Sequence, residues 1–256
     1  MTRQSVPGAE PFVPAGAGLD RLAEAVQGCR GCQLYQASTQ AVFGEGDSNA
    51  RVVFVGEQPG DQEDRSGRPF VGPAGRILDS ALEDAGIARS QIYVTNAVKH
   101  FKFRRAEGGK RRIHQSPSQT EIRACKPWFA AELHVLDPDV LVCLGATAGK
   151  AVFGPSFKVT EQRGIPLPSP PEWSRDGLVV VATVHPSAVL RSREQDDMYA
   201  GLVSDLRVVA TELHDFGSSP GQRGILTGVQ RSNRASIASD VGGGDPREVT
   251  WRDGRK

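Results

Sequence analysis

Polar side chains capable of chemistry follow three apolar segments of the sequence, within a few positions of each segment's end. They are Glu57 and Gln58 after 51–56, Asn96 after 91–95, and His185 and Ser187 after 178–184. A carboxylate, a primary amide and an imidazole together can hold a substrate, move a proton and stabilise developing charge. Each residue alone is equally typical of a turn cap or of ordinary packing, so their common position is what predicts a functional site.

The four cysteines are a second group with possible chemistry. Cys29 and Cys32 form a CxxC pair, and Cys125 and Cys143 lie far downstream. Four cysteines are too few for a disulfide scaffold in a chain of 256 residues, whereas four thiolates can hold zinc or an iron–sulfur cluster equally well. A redox pair is an alternative for the CxxC residues, and Cys143, in an apolar segment, is also typical of a small buried side chain.

The segment 99–112 concentrates positive charge. It carries seven basic residues and one acidic residue, in a chain whose formal net charge is only +1. Such a segment is a candidate for binding phosphates, although a charge run is also typical of a solvated surface loop. Phe101 and Phe103 within it can stack on nucleic-acid bases or anchor the segment to the core.

One glycine-rich motif fails a test of spacing. Residues 145–150, GATAGK, resemble a phosphate-binding loop, but three residues rather than four separate the glycines. The motif also lacks Ser or Thr after the lysine, so it does not predict a nucleotide site.

The elements that must position these residues alternate along the chain. Four short apolar segments predict strands at 51–56, 91–95, 140–144 and 178–184. Amphipathic spacing predicts helices over 73–86, over about 118–135 with Ser118 as its cap, and through Met198 to Leu213. We therefore expect an α/β fold with a central, mostly parallel four-stranded sheet flanked by helices on both faces. Ligands of such sheets bind beyond the carboxyl ends of the strands, where the polar residues lie.

Composition predicts three regions. Residues 1–16 are rich in Pro, Gly and Ala and are expected to be loose, 17–216 form the folded domain, and 217–256 read as a flexible tail without apolar periodicity. No apolar run approaches the roughly 18 residues of a membrane span, and the N-terminus lacks a secretory pattern. We expect a cytoplasmic monomer without a membrane partner.

Several motifs together resemble a known family. The sequences GEQPG at 56–60, GRPFVG at 67–72, TNAVK at 95–99 and HPS at 185–187 resemble the iron–sulfur, family 4-type uracil-DNA glycosylases. KRRIH at 110–114, together with GEQPGDQED at 56–64, resembles the UdgX class more specifically. Ordinary family 4 members usually have alanine at the position of Gln58 and lack the insertion that bears the histidine. The resemblance covers about 17–216.

The resemblance implies a uracil-DNA glycosylase-like α/β/α fold that acts on uracil-containing DNA, either single-stranded or with the nucleotide flipped out. It implies a structural [4Fe–4S] cluster on Cys29, Cys32, Cys125 and Cys143. In the uracil pocket, Phe70 would stack on the base and Asn96 would read its edge. Gln58 and Asp61 would line the same pocket.

The resemblance also implies the reacting groups. His185 would donate to the departing uracil, Glu57 would favour the positive sugar or orient a nucleophile, and Asp64 is a supporting carboxylate. His114 would then attack the sugar and leave a stable protein–DNA crosslink. Ser187 and the basic residues Lys110, Arg111 and Arg112 would position the loop or the DNA. Two alternatives stay open: a multiple-turnover glycosylase with water as nucleophile, and a non-catalytic iron–sulfur or zinc module that binds nucleic acid.

Overall fold

A computed structural model describes residues 7–108, 111–173 and 177–218. Its main sheet is built on four apolar strands, each five residues long and almost fully buried. They are β2 (Val52–Gly56), β3 (Ile92–Asn96), β6 (Val140–Leu144) and β8 (Val179–Thr183). All pair in parallel, in the order β3-β2-β6-β8. The α/β prediction is confirmed, and the predicted strands differ from these by one residue at most at each end.

Within the described residues the sheet has six strands rather than the four predicted. Glu45–Gly46 (β1) pairs antiparallel with β3, and Pro166–Pro168 (β7) pairs antiparallel with β8. Both strands lie at the edges of the sheet, where short segments and proline are tolerated because one side needs no partner. Strands of two and three residues are too short to show the alternation that sequence reasoning uses.

Eight α-helices accompany the sheet in the described part of the chain. They are α1 (Leu19–Val26), α2 (Asp61–Ser66), α3 (Pro73–Asp84), α4 (Gln119–Leu136), α5 (Gly145–Phe153), α6 (Val159–Gln162), α7 (Pro186–Arg191) and α8 (Gln195–Ser218). The predicted cap of α4 is confirmed, because Ser118 and Glu121 form a reciprocal capping box. The helix continues through Pro127.

The pleat of the strands divides the core between the two faces of the sheet. Phe54 and Val142 pack with Leu78 of α3 and Leu206 of α8 on one face. The neighbouring strand residues Val53 and Leu141 face the other side and pack with α4 and α5. Helices on both faces, as predicted, leave the carboxyl ends of the parallel strands as the accessible edge.

The basic segment forms a hairpin rather than an open loop. Strands β4 (Phe103–Arg105) and β5 (Arg112–His114) pair antiparallel, with Phe103 opposite His114. His114 therefore ends the returning strand, next to the aromatic base of the hairpin. Gly109 and Lys110 lie outside the described residues, so the predicted role of Lys110 stays a prediction.

The described N-terminal residues contact the segments that carry cysteines. The Gly8 amide donates to the Gly31 carbonyl at 3.0 Å, and the Ala9 amide donates to the Ala124 carbonyl at 2.8 Å. The predicted boundaries at 16 and 216 stay predictions, and most of the predicted tail falls beyond the described residues. Among the described helices, none has the length and apolar character required to cross a membrane.

Candidate active site

A cavity of about 650 Å³ lies at the carboxyl ends of the four parallel strands. Each strand contributes through the residues at or just after its end. The polar and aromatic residues of its lining are Glu57, Gln58, Glu63, Phe70, Asn96, His114, Ser116, Thr147, His185, Ser187 and Arg191. The predicted convergence of Glu57, Asn96 and His185 is therefore present, and His114 joins them from the hairpin.

The hydrogen bonds of His185 define its tautomer. The backbone amide of Ser187 donates to His185 Nδ1 at 3.1 Å, and Ser187 Oγ lies 2.8 Å from the same atom. A backbone N–H can only donate, so Nδ1 is the acceptor and the ring proton is on Nε2. Burial, together with the nearby Arg191 and His114, lowers the pKa of His185 to about 4. His185 is thus a neutral hydrogen-bond donor at neutral pH.

Asn96 and Phe70 form the part of the cavity best suited to a planar ligand. Asn96 is 3% exposed, and its side-chain amide has no hydrogen-bond partner among the residues that the structure describes. The Phe70 ring lies roughly parallel to the His185 ring, and the two ring centroids are 6.3 Å apart. A Cβ atom at Gly56 would lie 2.4 Å from Asn96 Oδ1 and 2.8 Å from Phe70 Cζ. Gly56 therefore allows these two side chains to approach the strand end.

Two further contacts hold this part of the cavity, and sequence reasoning missed both. The Glu63 carboxylate accepts from the Gly72 amide at 2.8 Å and so ties α2 to the loop that carries Phe70. Lys99 Nζ donates to the Asn96 carbonyl at 2.9 Å and pairs with Glu132 inside the protein. Lys99 belongs to the TNAVK motif, and that motif was the sequence feature from which its importance could have been inferred.

Glu57 and His114 lie next to each other in the lining of the cavity. His114 Nε2 lies 3.4 Å from Glu57 Oε1, and the Glu57 side chain is 18% exposed. Glu57 Oε1 is buried and makes no hydrogen bond within the described part of the chain. Burial and Arg191 lower the pKa of His114, whereas Glu57 acts to raise it, and the net shift is downward. The His114 ring is therefore neutral at neutral pH, the state in which imidazole is nucleophilic.

Arg112 anchors the hairpin that carries His114. Its Nη1 donates to Asp64 Oδ2 at 2.5 Å, and its Nε donates to Asp61. The guanidinium also lies over Phe101 and Phe103, 5.3 and 5.0 Å from their ring centroids. Burial works against the charge, yet the hydrogen bonds that Arg112 donates to Asp64 and Asp61 prevail and raise its pKa. Arg112 thus ties the hairpin to α2, and its predicted role in positioning the loop or a phosphate stays a prediction. Arg111 is exposed.

Asp61 and Asp64 lie outside the lining of the cavity. Asp61 was expected to help line the uracil pocket, whereas the predicted role of Asp64 as a supporting carboxylate stays a prediction. Asp64 is fully buried and also accepts from the backbone and hydroxyl of Thr39. Arg112 draws both carboxylates toward the base of the hairpin, so they support His114 indirectly.

Gln58 lines the cavity but uses its amide elsewhere. Its Nε2 donates to the carbonyls of Lys102 and Gln115, and its Oε1 accepts from the Lys102 amide, all at 3.0–3.1 Å. Lys102 and Gln115 flank the hairpin. Gln58 therefore fastens both ends of the hairpin to the loop after β2.

The structure brings three of the four cysteines together. Cys29, Cys32 and Cys125 pack in one cluster under α1, and the neighbouring thiols act in the same direction as burial to raise the pKa values of Cys32 and Cys125. Cys143 lies on β6 in the other cluster, and burial is the only cause that raises its pKa. The predicted four-thiolate arrangement is thus not assembled here, because Cys143 is enclosed between neighbouring strands.

The segment after β3 contacts these thiols through its backbone. The Lys99 amide donates to Cys125 Sγ at 3.3 Å, and the next residue, His100, is 4% exposed. Burial lowers the pKa of His100 to about 4, so its ring is neutral. Across residues 7–108, 111–173 and 177–218, no three His, Cys, Asp or Glu side chains meet in a geometry ready to hold a metal ion. The three thiols are the side chains of this cluster that could ligate a metal.

Comparisons with known proteins agree with this architecture. The family model described as the Uracil DNA glycosylase superfamily matches residues 43–207. A type-4 uracil-DNA glycosylase of Thermotoga maritima is 37% identical over 179 residues, which cover 70% of this chain and 86% of that protein. Type-4 enzymes of Sulfurisphaera tokodaii and Archaeoglobus fulgidus are 34% and 32% identical. Each match covers 67% of this chain, with 76% of the first relative and 83% of the second. The chain belongs to the uracil-DNA glycosylase superfamily and is related to its type-4 members.

Proposed function

We propose that the protein excises uracil from DNA. The observation that carries this proposal is the free amide of Asn96, which shares one cavity with the Phe70 ring and the neutral donor His185. A uracil reached by single-strand binding or base flipping would place its ring beside Phe70. The family membership and the type-4 relatives support the same substrate.

Asn96 supplies the means of recognising uracil. Its amide oxygen can accept from uracil N3–H, and its amide nitrogen can donate to uracil O4. Cytosine has an acceptor at N3 and a donor at its 4-amino group, the reverse of uracil at both atoms. With its oxygen facing N3, the amide would leave both polar contacts unmatched with cytosine, which is the kind of mismatch that gives strong discrimination.

His185 and Glu57 supply the groups for bond cleavage. As the bond between uracil N1 and sugar C1′ breaks, its electron pair goes to the base and positive charge develops on the sugar. The Nε2–H of His185 is available to donate to the uracil O2 as it becomes negative. The Glu57 carboxylate is the group that can stabilise the positive sugar or orient the group that attacks it.

We further propose that His114 captures the sugar. An imidazole nitrogen would form a bond to C1′, and the proton on the other ring nitrogen would then be lost, leaving a neutral N-linked imidazole. The 3.4 Å approach of His114 to Glu57 supports this step, because it places the imidazole beside the group predicted to face C1′. The resemblance to the UdgX class, through KRRIH, points to the same product. If water attacks instead, the protein is a multiple-turnover glycosylase, the alternative that the test below distinguishes.

We propose that an iron–sulfur cluster binds at Cys29, Cys32 and Cys125. Its role would be structural, because α1, α4 and the segment after β3 all meet at these thiols. Cys143 as a fourth ligand stays a prediction, and it would require the cysteine to leave its place in the sheet. The exposed arginines of the hairpin, Arg104, Arg105 and Arg111, are proposed to meet DNA phosphates, with the protein acting as a monomer.

The test uses an end-labelled single strand with one uracil. Released abasic product is measured after alkaline cleavage, and covalent product is measured on a denaturing gel. We expect both, with His114→Ala losing the covalent band and retaining uracil release. Arg105→Ala removes only a proposed phosphate contact of the hairpin, so at saturating DNA it should keep the band. No release from the uracil strand, or equal release from a cytosine strand, would refute the glycosylase proposal. Release over many turnovers without a covalent band would refute the capture by His114 and favour water.

A further inference from the structure

The segment 145–150, which fails as a phosphate loop, enters the cavity. It follows β6 and forms the first turns of α5. Gly145 has φ +88°, and a Cβ atom there would lie 2.9 Å from His185 Cβ. Glycine is thus required both by the backbone conformation and by the close approach of His185. The segment is shaped around the site residues rather than around a nucleotide.

Thr147, two residues later, contacts the carboxylate of Glu57. Its hydroxyl donates a hydrogen bond to Glu57 Oε2. The other carboxylate oxygen, Oε1, is the buried atom without a hydrogen bond, and it is the one that lies 3.4 Å from His114 Nε2. The two oxygens therefore have different surroundings, one held by Thr147 and one directed at His114.

The different surroundings of the two Glu57 oxygens limit how its carboxylate can rotate. A Glu side chain can rotate about its last bond, which exchanges the two oxygens and turns the carboxylate plane. A hydrogen bond to one oxygen from a residue on a packed helix restricts that rotation. The hydroxyl of Thr147 is the side-chain group that provides such a bond to Glu57 in the described part of the chain.

We infer that Thr147 is a positioning residue for Glu57. It holds the carboxylate in the orientation that faces the reacting sugar and His114. The inference rests on the proposed function, since it assigns the residue that orients a group of that same reaction. It does not make Thr147 a catalytic residue, because its hydroxyl contacts Glu57 and no reacting atom.

The matched variants are Thr147→Val and Thr147→Ser. Valine keeps the β-branched shape of threonine and removes the donor, whereas serine keeps the donor and removes a methyl group. A hydrogen bond to a charged group is among the stronger ones, so its loss is expected to slow uracil excision about tenfold. The excision rate is measured under single-turnover conditions over a range of protein concentrations.

We expect Thr147→Val to lower the maximal excision rate about tenfold and to leave the half-saturating protein concentration unchanged. Thr147→Ser should stay within about threefold of the original rate. In a Glu57→Gln background, Thr147→Val should have little further effect, because the group that it positions has been altered. Equal rates for all three Thr147 forms, or equal losses in the serine and valine variants, would overturn the inference.

A readout without catalysis separates this inference from the proposed function. The ring signals of His114 in an NMR spectrum report the orientation of Glu57 beside it. They should shift in Thr147→Val and remain in place in Thr147→Ser. An unchanged His114 signal in Thr147→Val would refute the role of Thr147 even in active protein. Absence of uracil release from the unmodified protein, with the signal shifted as expected, would refute only the proposed reaction.

Discussion

Arg112 and Asp64 form an ion pair that links the hairpin to the body of the protein. Arg112 Nη1 lies 2.5 Å from Asp64 Oδ2, the Arg112 side chain is 9% exposed, and the Asp64 side chain is fully buried. Because 48 residues separate Arg112 from Asp64 in the chain, no local sequence pattern reveals this pair. The pair nevertheless decides where His114 lies. It joins the basic segment to a carboxylate that sequence reasoning placed in the catalytic group.

Arg112→Ala should therefore separate crosslinking from excision. Removing one partner of a buried ion pair typically costs about 3–5 kcal/mol, because the other charge is left without compensation. We expect a lower melting temperature and at least a tenfold loss of covalent product, with uracil release less affected because Asn96 and His185 lie on other elements. Arg105→Ala, measured at saturating DNA to compensate for its proposed phosphate contact, is the control, since Arg105 is exposed and forms no such pair with the described residues. Equal losses of release and of covalent product would contradict this division.

Gln58 is expected to act on the same hairpin by another route. Its amide makes three hydrogen bonds to the backbone at the ends of the hairpin, each typically worth about 1 kcal/mol. Gln58→Ala should reduce covalent product more than uracil release, and Gln58→Glu should do the same because its carboxylate cannot donate to the two carbonyls. Measuring both products on one gel checks this. A greater loss of release than of covalent product would instead assign Gln58 to base recognition.

The pKa shifts of the two histidines predict the pH dependence. Capture requires neutral His114, whose pKa lies below the ordinary value of 6.5, so covalent product should form at more than half its maximal rate at pH 6.5 and decline only at lower pH. In the proposed reaction His185 is neutral, with a pKa of about 4. Only near pH 4 should its Nδ1 become protonated and lose the hydrogen bond from the Ser187 amide that orients the ring, so uracil release should decline only there. The rates of release and of crosslinking from pH 4 to pH 8 provide the measurement.

Arg191 provides a control for this pH dependence. Its positive charge lowers the pKa of both histidines, while Glu57 opposes it at His114. Arg191→Ala should move the acid limb of crosslinking to higher pH, and Arg191→Lys should leave it close to its original position. An acid limb that stays in place in Arg191→Ala would show that burial alone keeps these rings neutral.

The cysteines should differ in their effect on a bound cluster. Purified protein with an iron–sulfur cluster is brown and absorbs near 400 nm, a general property of such centres. Cys125→Ala should lose this absorbance, because Cys125 lies with Cys29 and Cys32. Cys143→Ala should keep it, because that thiol is packed in the sheet. Loss of absorbance in Cys143→Ala, at unchanged folding by circular dichroism, would restore the four-thiolate prediction.

Local patterns were sufficient to predict the main frame of the fold. The apolar strands, the capping box at Ser118 and the amphipathic spacing of α3 and α8 each depend on residues close in the chain, so periodicity reveals them. The common edge of parallel strands then predicts that Glu57, Asn96 and His185 meet. The edge strands β1 and β7 were missed because two or three residues carry no periodicity.

The partners of buried charged and polar groups were decided only by the tertiary structure. Arg112 and Asp64 are separated by 48 residues, Glu57 and Thr147 by 90, and Gln58 and Gln115 by 57. A motif can show that a carboxylate or an amide is present, but not which distant donor it meets when folding removes it from water. For the same reason the sequence determined that four thiols exist, while packing decided that Cys143 lies inside the sheet and the other three lie together. The sequence determines the chemical type of each side chain. The contacts of that side chain depend on how distant segments pair their polar groups when they pack in one core.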